Sequence, residues 1–274
     1  MTVAPKARAA KRSAKSDASA AIKLERATLF NFVLSLADDA LVLGHRLSEW
    51  SGRGPMLEED IALSNLGLDL IGQARLLYAY AGEVEGKGRG EEDLAYLRDE
   101  FAYANLLLVE QPNGDFATTM VRQLLYAAFM HPYLQTMQTS ADARLAEIAA
   151  KAVKEMAYHV RHAAEWVIRL GDGTEESQAR AAAALEELWM YTGELFEMTD
   201  DERGLVGKGI AVDRAAIKPS WDATVDRVLA EATLKRPPDR WMQGGGRSGR
   251  HSEHLGHLLA EMQVLHRAHP GATW

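Results

Sequence analysis

KEMAYHVRHAAEW, residues 154–166, decides the fold. It sets Glu155, His159, His162 and Trp166 at i, i+4, i+7 and i+11. Those positions make one stripe of an α-helix, whereas a strand would scatter them over two faces. A carboxylate and two imidazoles on one stripe are half of what a metal site between facing helices needs. The chain therefore reads either as a metal-binding bundle or as a bundle that keeps only the shape of one.

Working outward, the neighbouring segments are helical as well. Residues 141–170 form the helix that carries the stripe, and GDGT (171–174) turns the chain into another over 175–197. Upstream, Asp115 is placed to cap a long helix to about Gln138 that is bent at Pro132. From Glu25 to Trp50, large apolar residues recur at steps of three and four. Residues 57–81 are apolar on most faces and read as a buried helix. Residues 91–110 read as helical in one or two pieces, ended by QPNG. Beyond Glu197 the pattern thins to a loop over 198–219, a short helix over 220–234, a Gly-rich linker and a final helix over 251–269. The segment 1–22 is rich in Ala and Ser, with five cations against one anion, and reads as a disordered basic tail. The expectation is one all-α domain over 23–274, with a core bundle at about 25–170 and a C-terminal helical layer at about 175–274.

Bulk properties narrow the function. With 274 residues, of which 47% are hydrophobic, the chain can bury a core. A net charge of −8 argues against nucleic acid as partner. The absence of cysteine excludes disulfides, thiolate chemistry and Cys-ligated zinc, and fits a cytoplasmic setting. No apolar run reads as a membrane span, and the N-terminus lacks the apolar core of a signal peptide.

A di-iron carboxylate site in a bundle takes one Glu from each of two helices and a Glu-x-x-His from each of two others. Here Asp38, His45 and Glu49 share a stripe of the first helix, and Asn65, Asp69 and Gly72 a stripe of the second. The second helix offers Asp69-x-x-Gly72, and 141–170 offers Glu155-x-x-Tyr158 with His159 one position late. One residue of helix turns a side chain by about 100°, so His159 does not replace a ligand at 158. The helix from Asp115 to Gln138 has no acid beyond its cap. The spacing says bundle; the missing ligands say no iron pair. The vestigial polar core of Asp38, His45, Asp69, Glu155, His159 and His162 then has to be paired across the bundle. A mononuclear His–carboxylate site is the smaller alternative.

LVLGHRLSEWSG (41–52), DIALSNLGLDLIGQAR (60–75), NLLLVEQPNGDFA (105–117), KEMAYHVRH (154–162), ELF (194–196), GIAVD (209–213) and SEHLGHLLAEMQ (252–263) resemble the C subunits of phenylacetyl-CoA 1,2-epoxidases, over roughly 25–274. These are bacterial multicomponent monooxygenases of aerobic phenylacetate catabolism. The resemblance implies a ferritin-like helical bundle with additional C-terminal helices. It also implies a catalytically inactive structural subunit with no cofactor of its own. The implied partners are a di-iron catalytic A subunit, a reductase carrying FAD and an iron–sulfur cluster, and a small B subunit, with NADPH as reductant. By alignment it places CoA-side contacts at Ala102, Tyr103, Ala104 and Asn105, and at Arg203, Gly204 and Leu205. Arg203 is the residue suited to a CoA phosphate. The alternatives are an active di-iron oxygenase in its own right, or a free-standing ferritin-like protein.

Two further features invite readings. GGGRSGRHSEH (244–254) has the composition of a phosphate loop but not its spacing, and reads better as a mobile or subunit-contacting loop. His254, His257 and Glu261 share a helical face that reads as exposed or interfacial. The six tryptophans read mostly as core anchors, with those of the C-terminal layer as candidate interface residues.

Overall fold

The computed structural model describes residues 6–272, with side chains from Lys23 onward. Ten α-helices and no strand occur among the described residues. Four long helices build the core: α1 (Lys6–Ser48), α2 (Leu57–Glu85), α5 (Phe116–Met137) and α6 (Ala143–Gly171). Between α2 and α5 lie two short helices, α3 (Glu91–Tyr96) and α4 (Leu107–Glu110). After the core come α7 (Glu175–Trp189), α8 (Asp200–Gly207), α9 (Lys218–Glu231) and α10 (Glu253–Ala268). The backbone of α1 enters the segment read as a tail, whose side chains lie outside the described residues.

The core is two helical hairpins, α1 on α2 and α5 on α6, joined by α2 against α6. This is the ferritin-like arrangement. Glycine sets the α1–α2 distance. A Cβ at Gly44 would lie 3.0 Å from Ile71 Cγ1, and one at Gly67 would lie 3.2 Å from the Gly44 carbonyl. The two helices meet backbone to backbone at that point. Helix α5 is buried on almost every face, because α7 and α9 cover the side that α6 leaves open. Trp221 of α9 donates to the Leu125 carbonyl at 2.9 Å and packs among Trp189 and Phe196. Trp189 and Trp221 are core anchors, whereas Trp241 is exposed. Asp115 caps α5 through Thr118 N, and Pro132 lies inside a helix that continues to Met137.

Three expectations need correction. Residues 91–110 are α-helical only at their two ends: α3 stops at Tyr96 and α4 starts at Leu107, and between them lie a 3-10 turn over Glu100–Ala102 and extended backbone at Tyr103 and Leu106. The reason is that charged side chains from distant parts of the chain take up this backbone. Residues 198–219 are not all loop, since α8 occupies Asp200–Gly207. Its signal was present as Thr199 followed by three acids, a cap and a first turn suited to the helix dipole. Finally, Lys23–Ser48 is long and apolar enough to cross a membrane by length and composition alone. In the fold that segment is the first core helix, mostly buried inside the protein.

Candidate functional site

The polar stripe of α6 faces α2 and α5, and each member has its own partner. His159 is fully buried; its Nδ1 faces the Gln123 amide nitrogen at 3.0 Å and its Nε2 faces Asp69 Oδ2 at 3.3 Å. Nδ1 therefore accepts, and Nε2 carries the proton that goes to Asp69. His162 Nε2 meets Glu59 Oε2 at 2.8 Å. Glu155 accepts from Gln73 Nε2 at 2.9 Å. Glu59, Gln73 and Gln123 were not foreseen from sequence, because pairing across helices leaves no local pattern.

Asp38 is drawn away from the stripe altogether. It pairs with Arg98 and accepts from the Tyr78 hydroxyl at 2.6 Å. His45 is half-buried, and burial holds its imidazole below the ordinary histidine range. The bundle interior between α1, α2, α5 and α6 holds a cavity of ≈ 20 Å³ lined mainly by Leu, Met and Ala. That is room for about one water. Among the described residues no three His, Asp or Glu side chains come together in a metal-holding group. An iron pair needs several converging carboxylates; this chain has Gly72 and Tyr158 at the His positions of the two Glu-x-x-His motifs and the amide of Gln123 facing His159, so the residues do not fit it.

The chemistry gathers instead around residues 102–107, which connect the 3-10 turn to α4. Their backbone is held by charged side chains from across the molecule. Ala104 N–H donates to Asp38 at 2.9 Å, Leu106 N–H to Asp39 at 2.7 Å and Leu107 N–H to Glu194 at 2.8 Å. The Ala102 carbonyl accepts from Arg98 at 2.7 Å, and that of Ala104 from Arg247 at 2.7 Å. The Tyr103 carbonyl lies 2.9 Å from His251 Nε2. Arg247 closes an ion pair with Asp39 at 2.6 Å. The ring of Tyr103 lies 4.1 Å from the Arg98 guanidinium. Charges that would be costly if unpaired here satisfy one another and an irregular backbone together.

The Gly-rich stretch is part of this cage. Gly245 and Gly246 N–H groups donate to Glu194 at 2.9 and 2.7 Å, so the loop cradles an anion that is the chain's own carboxylate. A Cβ at Gly246 would lie 2.1 Å from the Asn105 carbonyl. Only glycine lets the two backbones touch. His254 is half-buried and His257 and Glu261 are exposed; they form no cluster.

The segments nominated by resemblance come to one face. Ala102 and Ala104 line a cavity of ≈ 220 Å³ with Thr28, Asn31, Ser35 and Arg247. Gly204 and Leu205 line a second, of ≈ 300 Å³, with Leu24, Glu25 and Lys208. Thr28 and Asp201 border both. Tyr103 and Asn105 point inward instead, and Asn105 donates to Glu110 at 2.9 Å. Arg203 lines neither cavity and pairs with exposed Asp200 at 3.2 Å. The cations bordering the cavities, Arg247 and Lys208, are already paired with Asp39 and Glu25.

A family model described as "Phenylacetic acid catabolic protein" matches residues 9–274. The curated C subunit of the 1,2-phenylacetyl-CoA epoxidase of Escherichia coli (strain K12) is 46% identical over 243 residues, 89% of this chain and 98% of the relative. With the bundle, the depleted ligand stripe and the caged segment in place, these matches establish that the chain belongs to the phenylacetic acid catabolic protein family.

Proposed function

We propose that this chain is the non-catalytic C subunit of a phenylacetyl-CoA 1,2-epoxidase, working in the cytoplasm. It holds the di-iron A subunit in register and walls part of the substrate channel. The small B subunit, together with a reductase carrying FAD and an iron–sulfur cluster, completes the assembly, with NADPH as electron source. The observation that carries this reading is the 46% identity, over 98% of its length, to a protein named as the C subunit of such an enzyme. The engaged stripe supports the non-catalytic part: Asp69, Glu155 and His162 each hold a partner, and Gln123 stands on the wall where a carboxylate would be needed.

The caged Ala102–Leu107 segment is the proposed contribution to substrate binding. Its cavity and the one beside it are bordered by Asp200, Asp201, Glu202 and Glu25, with their cations neutralised. Such walls suit the uncharged, amide-bearing arm of CoA and disfavour its phosphates.

The test is co-expression with the metal-bearing partner, followed by epoxidation assays with reductase, NADPH and phenylacetyl-CoA. Activity is expected only when both chains are present. Oxidation of the substrate by this chain without the partner would make it an oxygenase in its own right.

A further inference from the structure

His251 stands just before α10, between that helix and the caged segment. Its Nδ1 lies 2.8 Å from Glu110 Oε2 and its Nε2 lies 2.9 Å from the Tyr103 carbonyl. A carboxylate and a carbonyl oxygen are both acceptors, so making both bonds requires hydrogen on both ring nitrogens. Glu110 is fully buried, and its remaining donors are neutral: Asn105 Nδ2 at 2.9 Å and Ser252 N–H at 2.6 Å. We infer that His251 is an imidazolium and the positioning residue that clasps the start of α10 to the Ala102–Leu107 wall, so that the set of that wall depends on pH.

The groups around it bear this out. From α1, Asp38 is nearby but closed in its pair with Arg98, while Arg46 donates to the Glu110 backbone carbonyl at 2.7 Å and to the His254 carbonyl at 3.1 Å. Tyr103 lies under Arg98, and Tyr191 feels the Glu110 charge. From the glycine loop, Arg247 is committed to Asp39, and Arg250 packs on Gly245. Among the described residues His251 is thus the cation that meets the Glu110 carboxylate. Burial pushes the imidazole down, but the hydrogen bonds to Glu110 and Tyr103 and the charges of Glu110 and Asp38 outweigh it and set it above the ordinary histidine range. A raised group contributes its full stabilisation below its unfolded value and loses it as pH rises through the folded one. Once neutral, His251 keeps a proton for only one of its two acceptors, and Glu110 is left buried against neutral donors.

The protonation can be read directly on the full-length chain. In long-range proton–nitrogen spectra followed from about pH 5 to 9, His251 is expected to show both nitrogens protonated at neutral pH. The resonance is assigned by its loss in His251→Gln. A single-tautomer neutral ring at neutral pH, with the proton on Glu110 or absent, overturns the inference. Hydrogen exchange gives the second readout on the wild-type chain. Amides of 103–107 and 252–256 are expected to lose protection with rising pH beyond the intrinsic acceleration, and this excess is expected to vanish in Glu110→Gln. The same excess in both proteins would also overturn it. The consequence for substrate rests on the proposed function: in the assembled enzyme KM for phenylacetyl-CoA is expected to rise with pH while kcat holds. A flat KM beside a protonated, pH-sensitive clasp would refute the cavity as substrate wall and leave the clasp standing.

Discussion

At the scale of single residues, Asp38 shows how a polar group on a core helix is used to hold backbone in place. A carboxylate on the inner side of α1 is spent on Arg98, Tyr78 and the Ala104 amide. Asp38→Ala strands a buried guanidinium and a backbone N–H, so a loss of about 3–5 kcal/mol is expected in urea denaturation. A loss under about 1 kcal/mol would show that the cage is not the support described. Three histidines bear on the pH profile. His45 and His131 are depressed by burial, so their neutral forms favour the fold, and stability falls as pH drops below about 6.5. His251 is raised, so its contribution falls as pH climbs. Unfolding free energy is therefore expected to peak between the two limbs, and His45→Gln should flatten part of the acid limb while leaving the alkaline limb as it is. An acid limb unchanged in that variant would contradict the burial argument. The sequence showed Asp38, His159 and His162 as polar groups needing partners. It did not show Asp39, whose carboxylate is fully buried against Arg247, because a partner 208 residues away leaves no spacing to read.

Elements were legible in proportion to their periodicity. The core part of α1 follows the three-and-four spacing of its apolar residues, α2 was legible as a long apolar stretch, α6 through its polar stripe, and the Asp115 cap was readable as such. The stretch 102–107 was not, since ANLLL is as good a helix sequence as its neighbours. It stays extended because Asp38, Asp39 and Glu194 compete for its amides from elements elsewhere in the chain. The glycine loop's internal partners were hidden for the same reason: its composition reads as a mobile or subunit-contacting loop, and nothing local shows that its amides hold Glu194 and its backbone touches Asn105. Gly246→Ala is accordingly expected to cost about 1–3 kcal/mol in thermal or urea unfolding, since the neighbour it would strike is backbone. A neutral effect would mean that the loop can step back freely. Ala104→Leu probes the wall from the other side. The residue is only half-buried and borders the ≈ 220 Å³ cavity, so stability should hold while KM for phenylacetyl-CoA in the assembled enzyme rises by about three- to tenfold. An unchanged KM would remove this cavity from the substrate path.

For the whole molecule, the fold keeps four helices at ferritin-like spacing while the middle is filled with Leu, Met and paired polar groups. Among the described residues no three His, Asp or Glu side chains gather there as a metal-holding group. The exposed apolar side chains Leu57, Ile61 and Leu68 lie on the outer side of α2. If the iron of the enzyme belongs to the partner, it should stay there when the two chains are parted. Iron should be quantified in the separated chains of the complex purified from iron-replete cells. The metal is expected with the partner, and far less than one iron per copy of this chain. About two irons per copy of this chain, retained after separation, would contradict that assignment.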